Sequence, residues 1–153
     1  MAQKDFQWLG DLIASCGPLV PEILSVSRDT ETSWELQFVD GDTLQFSVSP
    51  ETEILTVTCP IDTLPESNKG AVLELLLAAN GCWHRTAGTH YCLRETDQII
   101  QLLHLCVSVD QPTCIAIIED QRAKALAWKE ALSDLMTEVV MTEQLKDDAA
   151  LRV

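Results

Sequence analysis

The alternation of apolar and polar positions divides the chain into a helix, a group of strands, a second helix, two more strands and a closing helix. Phe6, Leu9, Leu12, Ile13 and Cys16 recur at helical spacing, and Gly17-Pro18 then supplies a permissive residue followed by a breaker, which predicts a short one-faced helix. Pro21 precedes residues 23–27, a first strand or the lead into one, before a polar loop over residues 28–33. Trp34, Leu36 and Phe38 alternate with Glu35 and Gln37, Asp40-Gly41 has turn chemistry, and Leu44, Phe46 and Val48 alternate with Gln45 and Ser47. That is a hairpin. Residues 54–59 repeat the alternation, with Leu55, Val57 and Cys59 on one face, and Pro60 is expected to close the strand. Three antiparallel strands with one apolar face need a helix or another sheet to cover them.

Pro65-Glu66-Ser67 opens a second helix that runs to the cap pair Asn80-Gly81 and is apolar nearly all round. One side can be buried on the chain's own sheet, so the other is expected to meet a second protein or a second copy. Residues 91–94 and 99–107 read as two strands, the latter apolar at almost every position, as suits a strand covered on both faces. Asp110 and Pro112 start a long helix whose Cys114, Ile117, Ile118, Ala125, Trp128, Leu132 and Leu135 repeat every three or four residues. The pattern weakens from Thr137. Residues 1–136 are therefore one α+β domain with an antiparallel sheet, in the order α-β-β-β-α-β-β-α, and residues 137–153 a C-terminal tail, helix extension or disordered.

Length and charge narrow the function. A chain of 153 residues suits one domain and buries roughly 70% of its unfolded surface, so it needs no disulfide staples. Twenty-four acidic against ten basic residues give a net charge of −14, which repels nucleic acid and anionic membranes. Residues 29–68 hold nine acids and no Lys or Arg, a solvated rim that is also suited to guiding a basic partner segment. The start, Met1-Ala2-Gln3-Lys4-Asp5, lacks the features of an export signal, and the longest apolar stretch, near residues 75–79, is too short to span a bilayer, so a soluble intracellular protein is expected. The six cysteines are scattered through apolar patterns, and most of them read as small buried hydrophobes.

One arrangement has ligand spacing: Cys82-Trp83-His84, then His90-Tyr91-Cys92. In a hairpin, Cys82, His84, His90 and Cys92 would share one face and suit tetrahedral zinc, or Cys82 and Cys92 a redox disulfide; the plain alternative is coincidence in a partly buried hairpin. The zinc or thiol reading would make the chain a regulatory protein. No Gly-flanked nucleophile turn or glycine-rich phosphate loop is present, and the acids are dispersed, so neither enzyme activity nor a cofactor is expected.

Taken together, the segments resemble the class I type III secretion chaperones, bacterial proteins that hold effectors before export. The resemblance is carried by residues 6–13 as first helix, the hairpin of residues 34–48 with Asp40-Gly41 at its turn, Leu64-Pro65 leading into residues 72–80, and Ala127-Trp128-Lys129-Glu130-Ala131-Leu132 in the last helix. It spans about residues 5–136 and departs at residues 82–89, where the family more often has a glycine- and leucine-containing passage. The resemblance implies a cytoplasmic bacterial homodimer that keeps one or more effectors soluble and export-competent by binding an N-terminal segment in extended form, with the export ATPase as a further partner. On that reading Phe6, Leu9 and Ile13, with Trp34, Leu36 and Phe38, line or support the partner groove. Leu73, Leu76, Leu77, Tyr91 and Leu93 then form the dimer interface.

Overall fold

Apolar side chains on alternate residues of six strands set the architecture. The computed structural model describes residues 5–95 and 97–150, of which 138–150 are followed as helix backbone alone. Residues 1–4, on which the export-signal expectation partly rested, and residues 151–153 of the expected tail lie outside the described residues. The strands are β1 (Ile23–Thr30), β2 (Ser33–Phe38), β3 (Thr43–Ser49), β4 (Ile54–Thr63), β5 (His90–Leu93) and β6 (Gln98–Cys106). They form one sheet in the order β1-β2-β3-β4-β6-β5, every neighbouring pair antiparallel. The helices are α1 (Gln7–Cys16), α2 (Lys69–Gly81) and α3 (Gln111–Ala150).

The α+β class and the antiparallel sheet agree with the sequence pattern, but four strands, not three, precede α2. The polar loop expected at residues 28–33 is instead the end of β1 and a tight turn into β2. Arg28 holds that turn, its guanidinium donating to the carbonyls of Thr30 at 3.0 Å and Glu31 at 2.8 Å. The strand read over residues 23–27 is present and runs on to Thr30, with Ser25 and Ser27 on the outward face beside Gln37 and Glu35 of β2. Pro60 does not close β4 either, which continues to Thr63 with an irregularity between Pro60 and Asp62. The ladder to β3 ends at Thr58, so the missing N–H of Pro60 deprives no strand of a bond.

One face of the sheet is the core. Trp34, Leu36 and Phe38 of β2, Leu44, Phe46 and Val48 of β3, Leu55, Val57 and Cys59 of β4, and Ile99 and Leu103 of β6 are all buried there. Each buried Leu, Val or Phe contributes about 1.5–3 kcal/mol, so this layer dominates the fold. The opposite face is mostly Ser, Thr, Gln and Glu, and on β6 burial fades from Ile100 at 4% exposed to the exposed His104 and Cys106. The expectation that residues 99–107 are covered on both faces is thus corrected: outward Ile100 is sheltered by Pro60 and Cys92 on the adjoining strands, not by a second layer. His104 instead hydrogen-bonds Thr56 across the ladder at 3.0 Å.

Helix α1 sits on this core through Leu9, Ile13 and Cys16, and its closest approach is at Gly10. A Cβ there would stand 2.5 Å from Nε1 of Trp34, so only glycine lets the helix settle over the indole. Helix α3 is fastened to the β2–β3 hairpin by ion pairs from Arg122 to Asp40 (2.7 Å) and from Lys129 to Asp42, with the Arg122 guanidinium 4.1 Å above the Phe38 ring. Beneath it, the Gln101 amide donates to the backbone carbonyl of Gln121 at 2.9 Å and to its side-chain oxygen at 2.7 Å, and Gln121 donates to the Thr89 hydroxyl at 3.0 Å. Gln101, Gln121 and Thr89 are all buried.

The cysteines divide by depth. Cys16, Cys59 and Cys114 are buried, Cys92 is half-buried, and Cys82 and Cys106 are exposed, all as free thiols. Burial, reinforced by Asp42, pushes the Cys59 thiol up to about 11, and burial likewise raises Cys16 and Cys114. Since the thiolate is the reacting species, an alkylating agent at pH 8 should label Cys82 and Cys106 first and reach the three core thiols only on unfolding, as peptide mass mapping with and without denaturant will show. Replacing Gly10 by Ala should lower stability by about 1–3 kcal/mol through the forced displacement of α1 from Trp34, read as a fall in the denaturant midpoint with an unchanged slope.

Candidate partner-binding surfaces

The side chains expected to line the partner groove all lie inside. Phe6 is 6% exposed, Trp34 3%, Phe38 1%, and Leu9, Ile13 and Leu36 have no accessible surface. Phe6, Leu9 and Ile13 pack α1 onto the sheet, Trp34 lies against Gly10 and Phe38 lies under Arg122 of α3, so in this conformation they support a surface without presenting one. The periodicity that marks them is that of a buried face, and a core residue and a groove residue share it.

The surface they support is the β1 side of the molecule. β1 pairs with β2 alone, which leaves the backbone groups along its other side free to bond an added strand. Leu24, at an irregularity in the β1–β2 register, and Val39, just past β2, are each 63% exposed, and Leu19 is 56% exposed. At the other end of β1 a hollow of about 380 Å³ opens between Asp5, Phe6, Gln7, Arg28, Glu31, Thr32 and Pro50. Its floor is ordered by Arg28, whose Nη1 donates to the Gln7 side chain at 3.0 Å, and by the Asp5 carboxylate, which accepts from the N–H of Gln7 at 2.8 Å. Leu24 and Val39 escaped the sequence reading because the bulge that turns Leu24 outward follows from strand pairing, not from any local residue pattern.

The residues expected at a dimer interface divide. Leu76 at 4% and Tyr91 at 5% exposure are core, Leu73 is half-buried, and Leu77 at 70% and Leu93 at 36% face outward. Val72 and Leu76 are the inward side of α2, while Leu75, 42% exposed, turns to another flank. There it joins Ala127, Trp128 and Ala131 of α3 around an apolar groove of about 300 Å³. The Trp128 ring is held beneath by Tyr91 at 4.8 Å between centroids, and burial pushes the Tyr91 hydroxyl upward in pKa. Asn80 clamps the end of α2 to β5, its amide exchanging bonds of 2.8 Å with both the N–H and the C=O of Tyr91.

The proposed ligand set does not share one face. Residues 82–88 are a run of turns and only His90 and Cys92 lie on a strand, so the two-residue alternation that would align Cys82 and His84 with them is missing. Among the described residues no group of three or more His, Cys, Asp or Glu side chains is placed to hold a metal ion. No helix among them is long and apolar enough to cross a membrane.

No curated protein sequence matches the chain. Among solved structures, a chain of the ExsC–ExsE complex superposes with a TM-score of 0.68 at 19% identity, covering 83% of this chain and 96% of that one. A chain of the HopA1–SchA chaperone–effector complex does so with a TM-score of 0.64 at 15% identity, covering 80% and 94%. A chain of the heterodimeric ExoU–SpcU complex from the type III secretion system of Pseudomonas aeruginosa gives 0.58 at 13%, covering 80% and 95%. These likenesses establish that the fold is shared. Residues 22–129 match the model of the Tir chaperone protein (CesT) family, a span that takes in the whole sheet, α2 and the sheet-bound part of α3, and the chain belongs to that family.

Proposed function

We propose that this protein is a type III secretion chaperone of the bacterial cytoplasm, a homodimer that holds an N-terminal effector segment in extended form and keeps it soluble and export-competent. Membership of the Tir chaperone family is the observation that carries the reading. The open side of β1, with Leu19, Leu24 and Val39 exposed beside it, supports it physically. An extended segment gains main-chain bonds along a free edge and places alternate side chains on the exposed leucines and valine, so it is held without folding into a globule. The acid-rich, Lys- and Arg-free span of residues 29–68 begins in this strand and favours a client with basic residues. The same reading gives the protein no catalytic step and no cofactor, and leaves the export ATPase as a further partner.

Outward Leu75, Leu77 and Leu93 support a twin on the α2 side, at the far edge of the sheet from β1. Two substitutions in adjacent residues separate that contact from the core. Leu77→Asp alters an exposed side chain and should give a folded monomer of 17.0 kDa by light scattering. Leu76→Asp places a charge in the core and should yield unfolded or aggregated protein. A well-folded dimer carrying Leu77→Asp would remove α2 from the interface.

Client holding is tested by co-expressing the product of the adjacent gene and digesting the purified complex with protease. The expected result is protection of the client's N-terminal part alone. Leu24→Glu together with Val39→Glu should leave the melting temperature within a few degrees and abolish co-purification, whereas undiminished capture would place the client elsewhere.

A further inference from the structure

The loop between α2 and β5 is built with more care than a connection requires. Its end residue Thr89 has no accessible surface and is bonded by the buried Gln121 amide at 3.0 Å, and Lys124 reaches the carbonyl of Thr86 at 2.9 Å. The Thr86 hydroxyl lies 3.0 Å from the carbonyl of Trp83 and 2.8 Å from that of Thr89, and the N–H of Gly88 donates to the Trp83 carbonyl at 3.1 Å. Ala87 is held in the left-handed region at φ 51, a conformation that costs a non-glycine residue about 1 kcal/mol or more and persists only where the surroundings impose it. These contacts hold the backbone of Trp83, whose side chain is 60% exposed with His84 at its edge in a T-shaped arrangement, 6.2 Å between centroids. A large apolar side chain carried on a backbone that is ordered before any partner arrives gives up less freedom on being covered than one on a loose loop, which suits an interface anchor.

Charge indicates what would cover it. In a chain with 24 acids, residues 75–94 contain none, and they carry Arg85, Arg94, His84 and His90. Among the described residues no ion pair reaches Arg85 or Arg94, and Arg85, His84 and His90 are exposed. The acid that approaches the loop from α3 is Asp120, already paired with Lys124 at 2.6 Å. The loop is therefore a tryptophan-bearing patch with Arg85 exposed and no acid of its own on an otherwise acidic protein, while Arg94 lies at the far end of β5 beside Glu95 and Asp97.

We infer that the loop of residues 82–89 docks an acidic segment of a partner protein, one that covers Trp83 with an aliphatic side chain and meets Arg85 with a carboxylate. The surface lies past the last turn of α2, beyond the leucines assigned to the twin and across the sheet from β1, so it remains open while a client is held. It does not depend on the client-holding role.

The test uses the full chain and two short labelled peptides, one of leucine and glutamate, the other with every glutamate replaced by lysine, followed by fluorescence anisotropy. The glutamate peptide should bind, and the lysine peptide at least roughly tenfold more weakly. Trp83→Ala should weaken the glutamate peptide by about tenfold or more, and Arg85→Glu should reverse the preference between the two. Circular dichroism on both variants should show an unchanged melting transition, since each alters an exposed side chain. Failure of the glutamate peptide to bind, equal binding of both peptides, or indifference to both substitutions overturns the inference. So does dissociation of the Trp83→Ala protein into monomers by light scattering, which would give the loop to the twin.

Discussion

A pair of amides decides how the longest helix lies on the sheet. Gln101 is the one polar side chain on the inward face of β6, and among the described residues its side chain bonds Gln121 of α3. Turning or sliding α3 by one residue would leave both amides buried without partners, at a cost of about 1–3 kcal/mol each, where an all-apolar contact would tolerate the shift. With this register set, Trp128 meets Tyr91, Arg122 meets Asp40 over Phe38, and Lys129 meets Asp42. Further along the same chain of bonds, Thr89 anchors the loop before β5. Gln101 Oε1 itself has no partner among the described residues, so the pair gives up some stability for a unique docking of the helix.

Much of this architecture can be read from the residues. Asp40-Gly41 turns the β2–β3 hairpin as its chemistry requires, with Gly41 at φ 90 and the Asp40 carboxylate accepting from the N–H of Asp42. Gly17-Pro18 ends α1, and Asn80-Gly81 ends α2. What escaped the reading has a common cause, dependence on a neighbour distant in sequence. Residues 23–27 read as a strand on their own, but the run on to Thr30 depends on β2 beside it, and Pro60 is tolerated because β3 stops short of it. The surfaces were harder still. Phe6, Leu9 and Ile13 have the pattern of a face that is covered, but a pattern does not say by what, and here the cover is the chain's own sheet. Leu77 and Leu76 are adjacent and chemically identical, yet one is in water and the other in the core, because α2 turns about 100° per residue.

The sheet also separates electrostatic roles. Its β1 edge begins the acid-rich, cation-free span, and its β5 edge borders the acid-free span. The acid-rich span runs from the end of β1 through β4, and the acid-free span takes in the second half of α2, the loop after it and β5. That division is invisible in a net charge of −14, which averages over both ends.

Arg122, Lys124 and Lys129, all the cations of the sheet-bound part of α3, are neutralised internally by Asp40, Asp120 and Asp42. They therefore do little to offset the surplus of carboxylates in solvent. Two such molecules approaching through their unpaired β1 strands present like charge to like, and the repulsion acts over roughly 8 Å at physiological ionic strength. An open strand is a template for edge-to-edge fibre growth, and the acidic border works against that pairing with a strength that falls as salt rises.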